Sequence, residues 1–137
     1  MSKTTSSIIY QGHLRTKATH LKSGEMLVTD APTDNNGQGA YFSPTDLLAT
    51  SLGSCMLTLM GIAADKKEFE LGKIEVELTK VMGSDPRRVT QIIVQMKIQN
   101  VDFDVRKKRI LETAALNCPV AKSLHPDIIQ DVSFAYV

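Results

Sequence analysis

Residues 43–65 read SPTDLLATSLGSCMLTLMGIAAD, a stretch that opens on helix-start chemistry and then runs from Leu47 to Ala64 without a charge. Ser43 suits the N-cap, Pro44 the first helical position and Asp46 the third, where its carboxylate can answer the cap and favour the helix dipole. An uncharged run of this length raises the question of a membrane span. Six of its 18 positions are Thr, Ser or Gly, however, and the capped start is that of a soluble helix, so the stretch predicts a buried core helix.

Upstream, residues 29–41, TDAPTDNNGQGAY, concentrate Pro, Asp, Asn and Gly and predict an irregular loop, a composition that often borders a site when it leads into a helix. Before it, residues 7–20 alternate loosely and meet a second extended stretch, 25–29, across the turn-like KSG at 22–24, which predicts a hairpin. Downstream, Gly72 closes the exit from the helix. Ile74, Val76 and Leu78 then alternate with polar neighbours, Ile92, Val94, Met96 and Ile98 do the same, and GSDPRR forms the turn between the two strands. Residues 103–117 return to helical spacing, Pro119 ends that helix and starts a short one to about 124, and Val132, Phe134 and Tyr136 mark a last strand. The order β-β-α-β-β-α-β describes an α+β fold, an antiparallel sheet with a long buried central helix, in a single domain over residues 1–137.

The central helix is apolar nearly all round, whereas the other long helix is shorter and carries RKKR at 106–109. Ala49, Gly53, Leu57 and Gly61 also form an i, i+4 row of mainly small residues that would let another backbone approach. A homodimer is the expectation. With 16 basic and 15 acidic residues in 137, the net charge of +1 gives no reason to expect a nucleic-acid or membrane partner. The first residues lack the apolar run of a secretory signal, and two cysteines make no disulfide framework, so a reducing cytoplasm is the expected location.

Those cysteines, Cys55 in the central helix and Cys118 before Pro119, are 63 residues apart and admit two readings. Free cysteine is commonly a small buried hydrophobe. Cys118, however, precedes a short helix whose free N–H groups would favour a thiolate, whereas Cys55 lies about 16 Å along its helix from the start and lacks that help. Ionisation alone achieves little. Lowering a thiol pKa by about three units raises the thiolate fraction about thirtyfold, and a Brønsted slope of about 0.4–0.5 takes back about twentyfold. A thiol peroxidase therefore also needs a positive donor where charge develops on the departing oxygen.

The three histidines offer less. His13 and His20 both fall in the predicted hairpin, which suits a solvated or hydrogen-bonded role, and His125 before Pro126 reads as a turn residue. A zinc site from Cys55, Cys118 and His125 would lack any close ligand pair. No Gly-rich phosphate motif is present, so no cofactor is expected.

SPTDLLATSLGSCMLTLMGIAAD followed by LNCPVAKSLHPDI resembles the OsmC/Ohr family of osmotic-stress and organic-hydroperoxide proteins, through a capped helix start, a mid-helix Cys among small residues and a late Cys-Pro-Val block. The resemblance implies an intertwined homodimer with sites at its interface. It implies that Cys55 is the thiol attacking an organic hydroperoxide, that Cys118 resolves it, and that an external dithiol is the reductant. Peroxidase members typically carry Asn-Pro-Glu at the helix start, the Glu orienting an Arg from the N-terminal hairpin that contacts the reactive sulfur. Here Thr45 stands where that Glu falls, the nearest match to the Arg is Lys22 in HLKSGE, and Arg15 is a possible substitute. The departures keep a second reading in view, a non-catalytic binding protein of the same fold that holds a small apolar ligand at the dimer interface.

Overall fold

The computed structural model describes residues 2–100 and 102–137, and the chain divides into two compact units that meet in sequence between Leu47 and Leu48. The first unit is an antiparallel meander of β1 (Ser6–Gly12), β2 (Arg15–His20) and β3 (Met26–Asp30). The extended stretch expected over 7–20 is two strands. His13 and Leu14 both take positive φ, 55° and 64°, and fold the chain back so that Gly12 pairs with Arg15. Left-handed pairs in such turns are usually Asn-Gly or Asp-Gly, so a His-Leu pair leaves no compositional mark. His13 therefore lies in a turn, whereas His20 ends β2. KSG forms the β2–β3 turn as anticipated, with Gly24 at φ 79°.

The loop that follows holds a short 3-10 turn, Thr33–Asn35, and is drawn tight by Gly37. A Cβ placed on Gly37 would lie 1.7 Å from the carbonyl oxygen of Ala31, so only glycine fits there. The loop ends on Ser43, whose Oγ accepts from the Asp46 N–H at 3.0 Å while Asp46 Oδ2 accepts from the Ser43 N–H at 2.9 Å. This reciprocal pair is a capping box with Asp in the Glu position.

From that cap α1 runs over Pro44–Lys66. In the second unit its buried stripe, Ala49, Leu52, Met56, Met60 and Ala64, joins Ile92, Val94, Met96, Ile98, Leu111 and Ala115 in one apolar cluster. The stripe is what makes α1 a core helix, although its length and composition also suit a membrane span. β4 (Ile74–Gly83) and β5 (Arg88–Ile98) form a long hairpin; α2 (Val105–Leu116) and α3 (Pro119–Ser123) lead on to β6 (Ile129–Tyr136). β6 lies beside β5 and parallel to it, Val94 opposite Val132, so this sheet is mixed where an antiparallel one was expected. The helical segment between them is the crossover a parallel pair requires, and β5 in the middle is accordingly the strand with most buried apolar residues. The observed order is β-β-β-α-β-β-α-α-β.

The small-residue row on α1 is used differently from its sequence reading. Gly53 is buried, and a Cβ there would stand 2.9 Å from Leu78 Cδ1 of β4 in the same chain, so its missing side chain admits Leu78 and not a second backbone. Nothing lies within 4 Å of the corresponding point on Gly61.

Candidate functional site: a thiol pair and an anchored guanidinium

The second unit brings the two cysteines together. Cys55 sits midway along α1, half-buried, and Cys118 is fully buried at the N-cap of α3. The two thiols lie near enough for Cys55 to bear on the ionisation of Cys118, and both are free. Pro119 at the first position of α3 fixes the turn, and the Cys118 sulfur caps it by accepting the Ala121 N–H at 3.4 Å. The capping N–H groups do pull toward a thiolate, but they do not decide the ionisation. Burial pushes the Cys118 thiol up, the neighbouring Cys55 adds to the rise, and the N–H groups of Ala121 and Val120 recover only part of it. Desolvation of the charged form outweighs a one-turn helix end. Cys118 is therefore a protonated thiol at neutral pH, and Cys55 is the less buried residue of the two.

The first unit contains a different device. Arg15 at the start of β2 meets Asp30 at the end of β3, its register partner, in a two-bond fork: Nε to Oδ1 and Nη2 to Oδ2, each 2.9 Å. Asp30 is 1% exposed and also accepts the Ala40 N–H at 3.0 Å. Gln38 Oε1 accepts from Nη2 at 3.3 Å, and the guanidinium carbon lies 4.8 Å from the centre of the Tyr41 ring. The Arg15 hydrogen bonds hold the Asp30 carboxyl below the usual carboxylate range, helped by the Ala40 N–H against the cost of burial; Arg15 is raised in turn. Such a fork fixes the plane of a guanidinium, which a lysine ammonium cannot offer. Asp30, Gln38 and Tyr41 escaped the sequence reading because TDAP and NNGQGAY registered only as turn composition.

Lys22 lies exposed in the β2–β3 turn, and no carboxylate among the described residues holds it. Thr45 belongs to the helix start, its hydroxyl 3.2 Å from that of Ser43. His20 bonds Ser23 at 2.6 Å, and His125 accepts the Asp127 N–H at 3.0 Å as a turn residue does. No group of three His, Cys, Asp or Glu among the described residues is arranged to hold a metal ion.

The fold is α+β, and its long central helix carries one of two free thiols that lie near each other, the second of them buried. The chain belongs to the OsmC-like protein family, whose pattern matches residues 37–132. A Psychrobacter arcticus 273-4 structure, provisionally described as an osmotic stress induced and detoxification response protein, is 51% identical over 98% of this chain and 97% of its own, with a TM-score of 0.92. Two further structures share the fold. A Legionella pneumophila organic hydroperoxide resistance protein OsmC is 14% identical, with a TM-score of 0.70 over 98% of this chain and 99% of its own. A Vibrio cholerae protein, provisionally described as an organic hydroperoxide resistance protein with captopril in one of its active sites, is 16% identical, with a TM-score of 0.75 over 100% and 95%. Comparison with curated proteins finds no match.

Proposed function

We propose that the chain is a thiol peroxidase that reduces organic hydroperoxides through a Cys55 sulfenic acid and a Cys55–Cys118 disulfide. The observation that carries the reading is the nearness of two free thiols, Cys55 and Cys118, that are 63 residues apart in sequence. Cys55, the less buried of the two residues, attacks the terminal oxygen of the hydroperoxide as thiolate. An S–O bond forms, the O–O bond breaks, and the alkoxide leaves with the electron pair and takes up a proton to become the alcohol. The Cys118 sulfur then attacks the sulfenic sulfur; the S–S bond forms and hydroxide departs with the Cys118 proton as water. An external dithiol restores both thiols by exchange and leaves as its own disulfide.

The departing alkoxide calls for a fixed donor. Of the two cations that the family resemblance brings forward, Arg15 suits the task better, because Asp30 fixes its plane through Nε and Nη2 and leaves Nη1 to donate. Asp30 takes the orienting part that Thr45 lacks. The rival reading, a ligand-binding protein with inert cysteines, loses its main support once a carboxylate for the arginine is present. A homodimer is part of the proposal: Ile8, Ile9 and Tyr10 are 66%, 64% and 64% exposed, with apolar side chains on both faces of β1 for a second copy to cover. The cytoplasm would supply the dithiol.

The test separates the two sulfurs. Cys55→Ser should abolish hydroperoxide consumption, whereas Cys118→Ser should allow one turnover and leave a sulfenic acid on Cys55 that a 1,3-dicarbonyl reagent traps. The reverse pattern would exchange the roles, and activity untouched by either change would refute the thiol mechanism.

A further inference from the structure

The second unit carries a groove of about 680 Å³, well within the roughly 300–1,000 Å³ range of small-molecule sites. It is assembled from three places in the sequence. Leu48 from α1, Val89 from β5, and Ile128 and Ile129 from the entry to β6 give it an apolar lining, and Leu48 and Ile129 remain 38% and 60% exposed. Arg88 and His125 supply polar groups from two sides. Arg88 is steadied at the β4–β5 turn, where Nη1 donates to the Pro86 carbonyl at 3.0 Å and more weakly to that of Ser84 at 3.5 Å, and no carboxylate among the described residues pairs with it. His125 accepts the Asp127 N–H on Nδ1, so the neutral ring carries its proton on Nε2 as a second donor. Asp127 adds one carboxylate, 87% exposed and 3.8 Å from His125 Nδ1, where solvent screens its charge.

We propose that this groove binds an amphipathic monocarboxylate: the carboxylate on the Arg88 fork and the His125 Nε2–H, and an alkyl chain along Leu48, Val89, Ile128 and Ile129. A guanidinium with its fork open beside an apolar wall complements such a ligand in charge and in polarity together. Leu48 precedes Cys55 by seven residues, two turns or about 10 Å along the helix axis, and neither cysteine lines the groove, so binding is read without the thiol reaction.

Octanoate is the probe, with octan-1-ol as its neutral counterpart, titrated calorimetrically into the native protein. Octanoate should bind with a dissociation constant near the millimolar range, as expected for a ligand of about ten heavy atoms. Arg88→Met should weaken octanoate roughly 10- to 100-fold and leave octanol nearly unchanged. His125→Phe should weaken octanoate several-fold, which keeps the test alive if the arginine variant folds poorly. Equal affinity of the parent for octanoate and octanol would overturn the proposal, as would octanoate binding untouched by both substitutions. A third contrary result is no binding at all together with an Ile129→Glu chain that sediments lighter than the parent, which would give the groove to a second copy of the chain.

Discussion

Replacing Asp30 by asparagine removes the charge that aims Arg15 and keeps the side chain's shape. Of the five N–H donors of a guanidinium, Arg15 commits Nε and Nη2 to Asp30 and a further Nη2 contact to Gln38. Asparagine retains one acceptor oxygen, but its NH2 group would face an arginine N–H donor to donor, and one of the two parallel bonds is lost. What remains is the Gln38 contact at 3.3 Å and the Tyr41 ring at 4.8 Å, neither of which fixes the guanidinium plane. Arg15→Met, which removes the donor, should slow sulfenic-acid formation by roughly 10²–10³. Asp30→Asn leaves the charge but frees its aim, and a displacement of about 1 Å is worth up to about 10² in rate.

Stopped-flow single turnovers with an alkyl hydroperoxide at pH 7 measure both, and the double variant decides how Asp30 acts. If the carboxylate works through the arginine, Asp30→Asn should slow an Arg15→Met chain no further. Lys22→Met should react like the parent. Asp30 has its folded pKa depressed, so its contribution to stability is present above the ordinary carboxylate range and is lost as pH falls through the folded value. The difference in Tm between parent and Asp30→Asn should therefore shrink in acid. The reasoning is refuted if Arg15→Met and Asp30→Asn both form sulfenic acid as fast as the parent.

Other outcomes follow from single contacts. Gly53→Leu drives a side chain into the space of Leu78 and should cost about 1–3 kcal/mol or more, whereas Gly61→Ala meets nothing within 4 Å and should gain about 0.5–1 kcal/mol of helix propensity; chemical denaturation distinguishes the pair. The Cys118 thiol pKa is raised by burial, so its contribution to stability is complete below the ordinary thiol value of 9.0 and declines as pH rises toward the folded value; Cys118→Ala should flatten that alkaline loss in melts between pH 8 and about 10.5. Sedimentation at micromolar concentration should give about twice the 15.1 kDa chain mass, and a well-folded monomer would remove the second copy from the account.

The parts of this fold that sequence announces are those with local chemistry. Ser43, Pro44 and Asp46 name a helix start, and the capping box is there. Val94, Met96 and Ile98 alternate as a strand buried on one face must. The His13–Leu14 turn was hidden because its left-handed residues are not ones that composition flags, and the parallel pairing of β6 because strand patterning carries no direction. The same division holds for the site. Cys55 and Cys118 stand out as the only thiols, but the greater weight of burial over the α3 cap on Cys118 is a matter of three-dimensional surroundings. Asp30 and Arg15 are 15 residues apart and become partners only through the β2–β3 register.

The measurement closest to the central claim is a count. Fully reduced protein is mixed with a small excess of an alkyl hydroperoxide and no reductant, and thiols, peroxide and alcohol are quantified before peptide mapping. The account predicts one hydroperoxide consumed and one alcohol formed per chain, two thiols lost, and a single new cross-link between Cys55 and Cys118. Hydroperoxide left intact with both thiols still titratable would contradict it.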